Sequence, residues 1–369
     1  VEMDMSVMST LKQWSGKLTG LIGRGVLLLF TVALGSFTLL SLSPVDPVRA
    51  YIGMDALRID PEQYAKIAAR WGLDQPAWSR FLHWLSNILQ GDLGFSQVYN
   101  APVAEVISDR FLTSLGLLAG AWLLSGLFGF ALGVLAGRRK DSLTDKLICA
   151  LAYIMASLPA FWIGLLLLSV FAVQLAWAPV CCALPMGMLP EQATWTMRLQ
   201  HMILPMLTLS LMGTGNIILH TRARLIEIMQ SEFVRFARSQ GDGGLPLLRF
   251  HLLRHISAPA LCLQFASFGE LFGGSVLVEK VFAYPGLGQA TIDAGLRADV
   301  PLLLGIALFS ALFVFTGNQI AEWWIRSLDP RLAKSRPHRD SYRNSCNEHG
   351  DTTPLHIAAL SNTQEGAPR

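Results

Sequence analysis

The feature that most constrains this chain is a set of six apolar runs at residues 26–42, 112–137, 147–176, 199–221, 256–278 and 301–325. A helix crosses a hydrocarbon core of about 30 Å with roughly 20 apolar residues, so every run is a candidate span. Lipid offers no partner to backbone polar groups, which leaves only helices and closed barrels. The apolarity is continuous, without period-two alternation, and that selects helices. With 52% hydrophobic and 15% charged residues and a mean hydropathy of +0.43, an ordinary soluble domain is excluded. The predicted fold is an all-α membrane protein with six transmembrane helices.

Orientation follows from the basic residues. Lys12, Lys17 and Arg24 precede the first run; Arg138, Arg139, Lys140 and Lys146 follow the second. Six arginines, from Arg222 to Arg254, separate the fourth and fifth runs, and Arg326, Arg331 and Lys334 follow the sixth. The alternate segments are poorer, with Arg198 in one and Lys280 and Arg297 in another. The positive-inside rule places both termini in the cytoplasm and makes residues 43–111 a large first extracytoplasmic segment. That segment carries basic residues too, but it is long and balanced by acids. The net charge of +3 is thus a topological signal, and no nucleic-acid partner is expected.

The organisation that results is a cytoplasmic segment over 1–23, a transmembrane domain over 24–334 and a tail over 335–369. Methionines among residues 1–10 leave the start residue open, and without a small-residue cleavage site the first run reads as a retained helix. The tail is polar and reads as disordered. Its stretch 350–359 resembles the opening of an ankyrin repeat, but one partial repeat cannot bury its own face and is taken as a coincidence or an appended extension.

No site for energy-yielding chemistry is apparent. The phosphate-cradling pattern G-x-x-x-x-G-K-[ST] does not occur: Gly16 and Lys17 are followed by Leu18, and Gly213 and Gly215 lie inside an apolar run. His201 and His220 stand about 28 Å apart along one helix, too far to share a proton or a metal. Of the cysteines, Cys149, Cys181, Cys182, Cys262 and Cys346, none has metal-ligand spacing; the adjacent Cys181 and Cys182 read as small apolar fillers, a vicinal disulfide or a soft-metal contact. Glu270 is different, because an ionisable group within an apolar run is costly and expected to face the bundle interior. It would line a polar conduit, accept a proton, or hydrogen-bond a neighbouring helix or a partner subunit. Gly269, Gly273 and Gly274 beside it offer a surface for close helix approach. Asn318, Gln319 and Glu322 form a second polar stripe, suited to interhelical hydrogen bonds.

The segment between the fourth and fifth runs, 222–255, is long enough for two short helices that could dock on another protein. Within it stands Phe233-Val234-Arg235-Phe236-Ala237-Arg238-Ser239-Gln240-Gly241, and Pro259 follows eighteen residues after Gly241. In the outer segment, Ser43 to Pro47, Trp71 to Pro76 and Gly91 to Ser96 recur as short turn-bearing strings. Trp78, Phe81 and Trp84 fall on one helix face, suited to packing or to lying on the membrane. Gly274 to Gly288 forms the densest string, followed by Asp299, Val300 and Pro301 and closed by Leu328 to Arg331.

Taken in order, with these helices between them, the segments resemble the membrane-spanning permease of the dipeptide, oligopeptide and nickel ABC importers. The resemblance runs from about Arg24 to Lys334. Val45 stands where the family has glycine, Arg235 where the wider superfamily has glutamate, Glu322 where aspartate and Ile325 where tyrosine are usual. The resemblance implies a type I importer architecture in a bacterial inner membrane. Phe233, Arg235, Phe236, Ala237, Arg238, Gly241 and Pro259 would form the loop that couples to an ATPase. Glu279, Phe282, Pro285, Gly286 and Gly288 would form an extracytoplasmic loop able to contact a solute-binding protein. The implied partners are a homologous second permease, two ATP-binding subunits that hold ATP and Mg, the solute-binding protein and membrane lipid. The chain itself would hold no cofactor or metal and catalyse no reaction. A proton-coupled secondary carrier using Glu270 is the rival reading. Peptide, nickel, metal chelate and opine remain open as solutes.

Overall fold

The computed structural model describes residues 2–44, 46, 48–49, 60–70, 74–185, 187–188, 190–241 and 243–328. The tail 335–369, the closing string after Leu328 and parts of the strings at 43–47 and 71–76 lie outside the described residues. The chain divides into two compact units, Val1–Ile325 and Arg326–Arg369.

Helix is the dominant element because the apolar runs must satisfy their own backbone. In chain order the helices are α1 (Glu2–Ser41), α2 (Pro61–Arg70), α3 (Ala77–Leu89), α4 (Val103–Arg138), α5 (Leu143–Ser157) and α6 (Ala160–Leu167), which runs on as π-helical turns over Leu168–Gln174. After them come α7 (Trp195–Met229), α8 (Glu232–Ser239), α9 (Gly244–Leu247), a π-helical stretch Leu248–Leu252, α10 (Leu253–Ala266), α11 (Phe268–Val281), α12 (Leu287–Leu296) and α13 (Val300–Leu328). A two-stranded antiparallel ribbon pairs Phe95 with Pro102 and Ser96 with Ala101 just before α4.

Among the described residues four segments are long and apolar enough to cross a membrane unbroken: Thr19–Ser41, Val103–Arg138, Trp195–Met229 and Val300–Trp324. Two bent pairs bring the number to six if each is one span. Leu143–Ser157 meets Ala160–Gln174 at 110°, and His255–Ala266 meets Phe268–Val281 at 48°. The run expected as one helix over 147–176 is therefore broken in the middle. Pro159 explains the break: it lacks an N–H, and it forces Leu158 out of the helical region to ψ 137°. At the second bend the Gln264 carbonyl accepts from the Trp122 indole at 2.9 Å and from the Ser267 hydroxyl at 3.0 Å. The Gln264 amide in turn donates to the Trp122 carbonyl and, at 3.1 Å, to the Ser125 hydroxyl. Side-chain groups entering the backbone ladder are a recognised cause of kinks.

The centre of the bundle is the seam between α4 and α7. Gly129, Gly133 and Gly137 recur every four residues and present bare backbone to α7. A β-carbon at Gly129 would stand 2.7 Å from that of Ile217; at Gly133, 2.7 Å from that of Thr221 and 2.9 Å from the Ile218 carbonyl oxygen. Gly215, on the other side of α7, would meet the Ala152 carbonyl oxygen of α5 at 2.6 Å. Small residues at this spacing let helix backbones approach in a medium where no hydrophobic force draws them together. The glycines at 213 and 215 are thus packing positions inside a helix.

An ion pair ties α5 to the same seam. Arg222 donates through Nε and Nη2 to Asp145 at 2.5 and 2.7 Å. The Asp145 side chain is 3% exposed, and its backbone N–H is capped by Ser142. Such a two-point geometry is the arrangement in which a buried pair offsets its desolvation.

Replacing Gly133 by valine is expected to force α4 and α7 apart and cost about 1–3 kcal/mol. Gly116→Val, where a β-carbon meets nothing within 4 Å, is the control. Thermal unfolding in detergent should show a lowered midpoint for the first and little change for the second.

Candidate functional site

Two clusters singled out in the sequence occupy separate places in the fold. The first is α8, between α7 and α9. Glu232 in its first turn and Arg238 in its last suit the helix dipole. Val234 is fully buried and Ala237 nearly so. They pack with Leu225 and Ile228 of α7 and with Leu247, Leu248, Leu252 and Ile256 of the chain leading into and through the start of α10. The outward face is unlike the inward one. Phe236 is 66% exposed, and Arg235, 70% exposed at its side chain, pairs with Glu232 of its own helix at 3.4 Å. Phe233 sits at the edge, with its ring 5.2 Å from that of His255, and Arg238 touches Met229 Sδ at 3.7 Å.

Gly241 ends α8. Its φ of +97° is a left-handed conformation, and its N–H donates to the Arg238 carbonyl at 3.0 Å, the usual glycine closure of a helix. Nothing lies within 4 Å of its missing β-carbon, so the position demands glycine for its backbone and leaves space around it. Pro259 lies within α10, downstream of the packing contacts and upstream of the bend at Ser267.

The second cluster is the turn between α11 and α12. The residues expected to form a loop able to contact a solute-binding protein are mostly turned inward. Glu279 is fully buried and Phe282 is 3% exposed; Gly286 and Gly288 are also buried, and Pro285 is half-buried. The reason is local. Glu279 accepts from the backbone N–H of Gly288 at 2.7 Å and of Gln289 at 3.2 Å, capping α12 from a neighbouring helix. Ser114 of α4 completes the knot, donating to Glu279 at 2.7 Å and accepting from Leu287 N–H at 2.7 Å. A β-carbon on Gly288 would stand 2.4 Å from Val276 Cα, and one on Gly286 would collide with Glu279. Both glycines serve close approach. Burial, with the Glu279 charge nearby, pushes the Tyr284 phenol up to about 12.

Glu270 also departs from expectation. It is exposed, on a stripe with Gly273 and Leu277, while α11 turns Leu271, Ser275, Val278 and Glu279 inward. At about 100° per residue these sets fall on opposite sides of the helix, so Glu270 does not face the interior of this chain. Of the neighbouring glycines, Gly269 and Gly274 make close approaches, to Val314 and Met212, whereas Gly273 is open. Asn318 is likewise exposed. Cys181 and Cys182 form a disulfide, and the carbonyl oxygens of both lie within 3.3 Å of His201 Nδ1. Among the described residues no group of His, Cys, Asp or Glu could hold a metal ion.

Nothing in the sequence singles out Ser114, Asp145, Trp122 and Gln264, and it marks Arg222 only as one of the basic residues that set orientation. Their partners lie far along the chain, as with Ser114 and Glu279 at a separation of 165 residues, and no short string signals them. The four-residue glycine repeat of α4 was the one legible signal.

These features define a helical membrane protein of several spans with a surface helix docked on its own bundle. The family model described as "Binding-protein-dependent transport system inner membrane component" matches residues 129–334, and its N-terminal companion matches residues 18–118. The chain belongs to this family and is the permease component of an ABC importer. It is 33% identical over 305 residues to the "Glutathione transport system permease protein GsiC" of Escherichia coli strain K12, covering 82% of this chain and 94% of that one. The protein of the same name from Salmonella typhimurium gives the same identity and coverage. Among solved structures, the inward-facing MetNI methionine ABC transporter aligns with 61% of this chain and 97% of its own at 16% identity and a TM-score of 0.46, a likeness too distant to carry argument.

Replacing Glu279 by alanine would leave two N–H groups of α12 unanswered, at a cost of about 1–3 kcal/mol. Hydrogen exchange at Gly288 and Gln289 should quicken in Glu279→Ala and be partly restored in Glu279→Gln, which keeps an acceptor oxygen.

Proposed function

We propose that this chain forms half of the translocation pathway of an importer energised by two partner ATPases, with α8 as the element through which they act. The single observation that carries this reading is the two-faced character of α8: Val234 and Ala237 are sealed onto the bundle while Phe236 and Arg235 face outward. An exposed aromatic beside an arginine is the composition of a protein-binding hot spot. A push on α8 would pass through Leu247, Leu248, Leu252 and Ile256 into α10, across the bend at Ser267 into α11, and reach Glu279 and the capped turn. ATP and Mg would be held by the partners. By the basic segments, α8 lies in the cytoplasm and the α11–α12 turn outside, at the inner membrane of a bacterium.

On this reading the solute-binding protein meets the outer surface through exposed neighbours of the turn, such as Lys280 and Ala283, while Glu279, Phe282, Gly286 and Gly288 set its shape from within. The exposed stripe of Glu270, Gly273 and Leu277 faces the second permease and the pathway between the two. The solute is a small peptide, the class named for the glutathione relatives. Nothing supports the proton-coupled carrier.

In the assembled transporter, Phe236→Ala is expected to lower solute-stimulated ATP hydrolysis at least about tenfold, the equivalent of 1.4 kcal/mol at a contact, with unfolding of the permease unchanged. Full stimulation would overturn the role given to α8. Uptake of labelled glutathione, competed by short peptides and not by nickel, checks the solute class.

A further inference from the structure

The short helix α3 has four distinct sides. Phe81, Trp84 and Ile88 fall within about 60° of one another at 100° per residue. Phe81 and Trp84 bring this strip onto α1, their rings standing 5.2 and 6.4 Å from that of Phe37. Almost opposite lie Ser79, His83 and Ser86, with Gln90 just after the helix, all polar and exposed. On one flank Arg80 and Asn87 line a cavity that α3 shares with Asp299 and Pro301 at the start of α13.

The other flank is apolar and uncovered. Trp78, Leu82, Leu85 and Leu89 fall within about 60° of one another, and Trp78, Leu82 and Leu89 are exposed at 64%, 47% and 81%. Together with the strip on α1 they make a continuous apolar arc of about 160°. Exposed apolar surface of this kind marks contact with a protein or a membrane. Arg80, on the cavity side, is the only Asp, Glu, Lys or Arg in Ala77–Leu89, so the uncovered flank has no charge with which to select a partner protein.

The level of α3 says what covers that flank. The span of α1 is Thr19–Ser41, and Phe37 precedes its end by about 6 Å at 1.5 Å per residue. The Phe81 and Trp84 rings both meet this one residue, as in a helix that crosses α1 and does not run down beside it. A helix lying on a bilayer sinks its apolar side about 5–10 Å into the boundary between headgroups and acyl chains. The two depths coincide. Leu39 and Leu42, at the same level, are exposed as well, so apolar surface is available on α1 and on α3 at one height.

We infer that α3 lies flat in the membrane interface where α1 ends, with Trp78, Leu82 and Leu89 immersed among the upper acyl chains of phospholipid and Ser79, His83 and Ser86 in water. Tryptophan is suited to this layer. Because the immersed flank is uncharged, burial of apolar area supplies the attraction and the headgroup charge does not enter. The segment that follows α1 is thereby held to the bilayer surface beside the start of α13. This placement is independent of the solute and of which side of the membrane α1 ends on.

The test puts the photoreactive amino acid p-benzoyl-phenylalanine in place of Trp78, Leu89 or Ser86, all exposed. The full-length chain, assembled with its partner subunits in nanodiscs of palmitoyl-oleoyl-phosphatidylcholine, is irradiated and its adducts are weighed by mass spectrometry. Positions 78 and 89 should give phosphatidylcholine adducts several-fold above position 86, with or without the solute-binding protein, and phosphatidylglycerol in the nanodisc should not raise the yield. Leu82 replaces either position where the substituted chain does not assemble. Adducts to a second permease or another subunit at positions 78 and 89, loss of the lipid adducts when the solute-binding protein is added, or lipid yields no higher than at Ser86 would each overturn the inference.

Discussion

The close approach of α4 and α7 is the constraint on which the other parts depend. In a bilayer the helices gain nothing from leaving lipid for each other except contact itself, so a seam of bare backbone at Gly129, Gly133 and Gly137 sets how near they come. Once those two long helices are fixed, polar residues along them become anchors. Ser114 on α4 is brought to Glu279, Trp122 and Ser125 to Gln264, and Arg222 on α7 to Asp145. Each is a polar connection that would be costly to leave unmade in an apolar surround.

Those polar connections are concentrated where the helices cease to be regular. The bend at Ser267 is held by Gln264 and Trp122, the start of α5 by Ser142 and Asp145, and the turn before α12 by Glu279. Regular helix satisfies its own backbone; broken helix needs side chains to do so, and membrane helices tolerate breaks only on that condition. The irregular points are consequently the ones at which two arrangements of the bundle could interconvert with defined partners.

This gives the family assignment a physical route. The surface helix α8 is continuous by packing with the segment feeding α10, α10 is joined to α11 at a held bend, and α11 ends on the carboxylate that caps α12. A displacement applied at one end of the chain of contacts need not dissipate in soft loops.

Sequence alone determined that this is a helical membrane chain, because run length and continuous apolarity answer to bilayer thickness and to backbone satisfaction without any knowledge of neighbours. The ordered strings from Ser43 to Arg331 also pointed to the importer permeases, an assignment that the 33% identical relatives support over most of the chain. Only the tertiary structure decided what individual residues do. Glu270, conspicuous as a charge in an apolar run, falls on an outer face, and Glu279, expected to meet a partner, is a buried cap. Helical phase relative to a neighbour, and contacts made across more than a hundred residues, are set by how the helices come together; a string of residues carries the spacing but not the direction from which the next helix arrives.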